Sequence, residues 1–159
     1  MLQRSVRSIV PVAAVVLSTA MNLMFFQSAR AEPGTQSVLS DANGQAKGYV
    51  VIAPDARDPN GVFHAEVTVN IHGLDPNTTY QVWRAIDFVP DGFYDPGAPG
   101  TGFAEIATIS TSAGGAGAMH LVRGGTLVSG DEFDLLIQVR LDDGTTLALE
   151  SDVMTVTVK

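Results

Sequence analysis

Hydrophobic and polar residues alternate with a period of two along much of the chain after residue 31. Over 63–72, Phe63, Ala65, Val67, Val69 and Ile71 alternate with His64, Glu66, Thr68, Asn70 and His72, as in a strand with one face in a core and one in water. The same pattern returns over 132–141, where Phe133, Leu135, Ile137, Val139 and Leu141 alternate with Glu132, Asp134, Gln138 and Arg140. Shorter β-rich runs predict strands over 36–40, 46–53, 80–88, 104–110, 116–122 and 146–158. In the last of these the alternation changes phase at Ser151-Asp152, which predicts a bulge. Asp41-Ala42-Asn43-Gly44, Ala113-Gly114-Gly115 and Asp142-Asp143-Gly144 supply residues that tolerate positive φ and suit turns. About eight strands on this spacing predict an all-β, antiparallel Greek-key β-sandwich, with an open barrel as the alternative.

The first residues break the pattern. Arg4 and Arg7 precede an apolar run over 8–26, and Ala29-Arg30-Ala31 has the small-x-small spacing of a signal-peptidase site. Residues 1–31 therefore read as an N-terminal signal helix, with an uncleaved anchor as the alternative. The expected product is secreted, periplasmic or at the cell surface. Cleavage leaves residues 32–159 as one β-sandwich domain of 128 residues, long enough for a single core. It also removes three arginines and no acid, so the formal net charge moves from −8 to −11. Such a surface repels phosphate backbones and anionic headgroups, which argues against nucleic acid or membrane as a partner once the leader is gone. The chain has no cysteine. The core alone must hold the fold, and thiolate metal sites are excluded.

Gly73-Leu74-Asp75-Pro76-Asn77-Thr78-Thr79-Tyr80, followed by Gln81-Val82-Trp83, resembles the turn-and-strand signature of fibronectin type III and related immunoglobulin-like sandwiches. In that family a Leu-x-Pro-x-Thr-x-Tyr turn enters a strand and the tyrosine hydroxyl returns to the turn backbone. The resemblance implies that Leu74 plugs the base of the core, Pro76 shapes the turn and Tyr80 pins the corner. The same turn is similar to that of the copper/zinc superoxide dismutase sandwich and its non-catalytic relatives. That second resemblance implies converging histidines. The chain has only His64, His72 and His120 and no His-x-His pair. Eight residues of strand place His64 and His72 on the order of 26 Å apart, too far to share an ion.

One segment is unlike the short turns elsewhere. Residues 87–103, DFVPDGFYDPGAPGTGF, hold three aspartates, four aromatics, three prolines and four glycines. The prolines and glycines forbid a helix, so the even spacing of Asp87, Asp91 and Asp95 does not align them. Three readings stay open: a stiff crossover whose aromatics cover a sheet edge, an aromatic platform of Phe93 and Tyr94 flanked by Asp91 and Asp95 for a protein or glycan, and a calcium loop. At the root of the loop, period two puts Arg84 inward between Val82 and Ile86 and Trp83 outward, unless a bulge reverses the phase. An inward Arg84 needs a carboxylate, which Asp87 or Asp95 is placed to supply. The function expected is that of an exported, non-catalytic binding or structural module acting through Trp83, Arg84, Asp91, Phe93, Tyr94 and Asp95. No catalytic or metal residue and no cofactor is expected, with Ca²⁺ at the loop as the alternative. A metal-binding sandwich of the dismutase type is the alternative.

Overall fold

The alternating segments form strands whose inward residues make one core. The computed structural model describes residues 35–55, 63–97 and 101–158, and these contain nine strands and no helix. They are β1 (Thr35–Ser40), β2 (Ala46–Asp55), β3 (Phe63–Ile71), β4 (Thr79–Asp87), β5 (Phe103–Ser110), β6 (Gly117–Gly125), β7 (Glu132–Leu141), β8 (Leu147–Ser151) and β9 (Met154–Thr157). They belong to one compact unit, Glu32–Lys159. The expected signal helix and its cleavage site lie outside the described residues.

Nine strands stand in place of about eight because the segment 146–158 is two strands. Both lie along β7, β8 against Gln138–Arg140 and β9 against Glu132–Leu135. At the break, hydroxyl groups replace the lost ladder bonds: Ile137 N–H donates to Ser151 Oγ at 3.0 Å, and Asp152 N–H donates to Ser37 Oγ at 3.0 Å. The buried residues change from Leu149 and Ser151 to Met154 and Val156, one step out of phase. That is the bulge signal of the sequence carried to a full interruption.

All pairings are antiparallel, and the strand order is β5-β4-β7-β8-β1-β2-β3-β6. Where a sandwich predicts two separate sheets, β1 joins them, pairing with β2 along its length and with β8 at Leu39 and Ser40. The result is a single sheet that curls until its edge strands β5 and β6 approach each other. The described hydrogen bond across that seam comes from a side chain, Arg123 Nη2–H donating to Ile106 O at 2.7 Å. Inside lie Val50, Val69, Val82, Ile137, Val139, Leu149 and Val156, all buried. Fully burying each such side chain contributes about 1.5–3 kcal/mol.

One end of the curled sheet is closed by two connections bonded to each other. Leu74 N–H donates to Gly115 O, Asn77 N–H to Ser112 O and Thr111 N–H to Thr78 O. The buried Thr111 hydroxyl accepts from Thr78 N–H at 2.9 Å and donates to Asp75 O at 2.6 Å. Gly115 is required where these loops touch: its φ is +72°, and a Cβ there would lie 2.2 Å from Leu74 O. The β7–β8 hairpin is held by Asp143, whose carboxyl is lowered to about 2 by hydrogen bonds from the Thr146 side chain first, then from the Thr146 and Thr145 backbones.

Candidate functional site

The other end of the sheet, beside the β5–β6 seam, is not filled. A cavity of about 370 Å³ opens there. Its floor is the core itself, Phe63 and Phe133 meeting edge to face with ring centroids 5.8 Å apart, with Leu135 and Ile137 beside them. Ile86 and Phe88 at the end of β4, Ile106 on β5 and Leu127 after β6 complete the apolar wall. Phe88 is 50% exposed, so it stands at the mouth. Gly125, paired with Phe63, leaves open space where a side chain would begin.

Two charged residues occupy inward positions on this wall. β4 pairs with β7 without a shift from Tyr80 to Asp87, so the phase set by Tyr80 and Val82 carries Arg84 inward opposite Ile137. The irregularity lies on β5 instead, where Ile106 is an extra residue between the partners of Val82 and Trp83. β6 runs three residues past the predicted end at 122, and its inward series Met119, Leu121 continues with Arg123, paired with Ala65. Arg84 and Arg123 thus flank β5 from both sides, and both line the cavity. Glu105 lines the same cavity and is exposed.

Burial, and then the charge of Arg123, pull the Arg84 guanidinium below its ordinary range, although it stays cationic at neutral pH. Among the described residues it has no hydrogen-bond or ion-pair partner. No side-chain nitrogen or oxygen among them is both fully buried and unpaired, so the Arg84 N–H groups open onto the cavity or its mouth. The carboxylate expected from Asp87 or Asp95 is not supplied. Asp87 lies three residues along the strand, on the opposite face of the sheet, and its oxygens accept from Val89 N–H at 3.0 Å and Asp95 N–H at 2.9 Å. Asp95 itself is exposed.

The remaining residues predicted at the loop gather on the outer face of β4 and β7. Asp87 and Asp134 face each other across the two strands, each only 1% exposed. Asp134 accepts from Gly92 N–H and from the Thr155 hydroxyl, both at 2.6 Å. These two carboxylates tie the loop down by its backbone. Trp83 faces outward, its indole N–H donating to Gln81 Oε1 at 3.0 Å. The Arg140 guanidinium lies 4.8 Å from the Trp83 ring and 4.7 Å from that of Phe103. Tyr94 meets Phe103 edge-on at 5.5 Å. Tyr94 is therefore packed while its neighbour Phe93 is 74% exposed. Asp91 forms a local turn, accepting from Phe93 N–H at 2.9 Å. Of the residues proposed for one site, Arg84 faces the cavity, Trp83 and Tyr94 belong to the outer layer, and Phe93, Asp91 and Asp95 project from it.

At the far end, Tyr80 is buried and its hydroxyl accepts from Asp75 N–H at 3.2 Å, Leu74 packs against the core, and Pro76 O accepts from the Thr78 hydroxyl at 3.1 Å. The histidines stay apart: His120 Nδ1 bonds to the Thr68 hydroxyl at 3.0 Å, and His64 lies beside Gly124 four residues further along the ladder. Among the described residues no three of His, Asp or Glu gather so as to hold a metal ion, a donor set that does not fit a dismutase-type copper or zinc site.

No family model matches the sequence, and no curated protein matches it. Two solved structures similar to it are a double mutant and a single mutant of a SOD-like protein from Bacillus subtilis. They are 12% and 13% identical to this chain, with TM-scores of 0.41 and 0.39, and in each case the match covers 78% of this chain and 97% of the other.

Proposed function

We propose that the protein is an exported, non-catalytic binding module, working at the cell envelope or outside the cell, that takes a small ligand into the cavity beside the β5–β6 seam. One observation carries this reading. Arg84, half-buried, and Arg123, exposed, stand at positions that the alternation of β4 and β6 reserves for hydrophobes, in a wall that is mostly apolar apart from Glu105 and Thr126. A cation half-withdrawn from water without a counterion is unfavourable, and such local violations concentrate where a protein binds something. The volume also falls within the roughly 300–1,000 Å³ of small-molecule sites. The 87–103 loop contributes Phe88 to the mouth, and exposed Phe93 extends the apolar surface available to a protein or glycan partner. The finer fold reading, a Greek-key immunoglobulin-like sandwich, rests on the corner of Leu74, Pro76 and Tyr80.

A neutral apolar fluorophore such as Nile red, titrated into the protein purified after export, tests the cavity. Saturable binding is expected, lost at least about ten-fold in Gly125→Trp, whose side chain fills the open space, while the melting temperature is retained. Binding unaffected by Gly125→Trp, or no saturable binding at all, contradicts the reading.

A further inference from the structure

We infer that the cavity's ligand is a small apolar molecule with a single carboxylate, its head held between Arg84 and Arg123 and its body against Phe63, Phe133 and Ile106. The inference rests on the binding-module reading above and names the class of ligand.

The head follows from the donors. A guanidinium presents N–H groups in a planar fork that matches a carboxylate, and charge-assisted bonds of this kind are the strong ones. The Arg84 fork has no partner among the described residues. Arg123 commits Nη2 to Ile106 O, which fixes its side chain across the seam and leaves its other N–H groups for the same anion. Each arginine raises the cost of the other until an anion lies between them.

The charge of the head follows from its neighbours. Glu105, exposed at the cavity's border and opposite the outward-facing Trp83, partly offsets the two arginine charges. The chain as a whole carries −8. That field opposes dianions and polyanions, phosphate esters included, and tolerates a monoanion whose binding is driven by burial of its apolar part.

The body follows from the walls. The floor is aromatic and aliphatic, made by Phe63, Phe133, Leu135 and Ile137, and the hydroxyl in the lining is that of Thr126. At about 370 Å³ the space suits a short acyl chain or a ring acid rather than a long lipid.

Calorimetric titration at neutral pH with octanoate, 1-octanol, octyltrimethylammonium and acetate separates these statements. Octanoate is expected to bind saturably, at least about ten-fold more tightly than octanol, with octyltrimethylammonium and acetate weaker still. Arg84→Met and Arg123→Met should each weaken octanoate about ten-fold while leaving octanol within about two-fold, and Arg84→Lys, which keeps the charge without the fork, should lose less. Melting curves of each variant exclude unfolding as the cause. Octanol binding as tightly as octanoate, or octanoate indifferent to Arg84→Met, overturns the carboxylate inference and leaves the cavity reading intact. Acetate binding as tightly as octanoate overturns the apolar body. Failure of both octanol and octanoate to bind overturns the cavity reading as well.

Discussion

At position 84 a long side chain that is always charged stands where Val82 and Ile86 on the same strand are hydrophobic. The period-two pattern made that placement readable, because β4 keeps its phase from Tyr80 to Asp87. What the pattern did not reveal was the absence of a counter-charge. Asp87 and Asp95 are near in sequence, yet three residues of strand put Asp87 on the other face, and its oxygens are taken by loop N–H groups. A residue kept for binding rather than for stability carries a measurable cost when nothing is bound. Arg84→Met is therefore expected to stabilise the ligand-free protein by on the order of 1 kcal/mol, raising its melting temperature by about 2–4 °C. A fall in melting temperature would show that Arg84 has a stabilising partner.

At the scale of elements, the second arginine was hidden by a boundary. Gly124 and Gly125 look like the end of a strand at 122, but β3 continues its ladder to Phe63 and β6 follows it, which turns Arg123 from a turn residue into an inward one. Pairing partners distant in sequence decide where a strand stops, and one segment's alternation does not contain them. The 87–103 loop shows the opposite case. Its aromatics announced themselves, but their division did not: Tyr94 and Phe103 pack with Arg140 and Trp83, while Phe93 points away. Phe93→Ala is expected to leave the melting temperature unchanged, whereas Tyr94→Ala should cost about 1 kcal/mol through its lost edge contact. Equal destabilisation by the two would contradict this division of the loop, and thermal denaturation measures both.

For the whole molecule, the all-β class, the antiparallel turns and the interruption at Ser151-Asp152 were legible because each depends on neighbouring residues. The joining of the strands into one curled sheet was not. It depends on β1 pairing at Leu39 and Ser40 with Ser151 and Glu150, more than a hundred residues away. The cavity is a consequence of that closure. The sheet curls far enough for a side chain of β6 to reach a carbonyl of β5, but the small residues Ala104 and Gly125 leave the end beside the seam unfilled. The tyrosine corner, by contrast, lies within six residues of sequence and could be read from them.

The central claim is that Arg84 and Arg123 act as one site. The most direct measurement follows the side-chain Nε–H resonances of the arginines by NMR while octanoate is added. The Arg84 and Arg123 signals should shift together along one saturating curve, with no comparable shift for Arg140 on the outer face and only smaller shifts of Arg84 and Arg123 when octanol is added instead. Shifts at Arg140 alone, or at Arg84 and Arg123 with different midpoints, would contradict it.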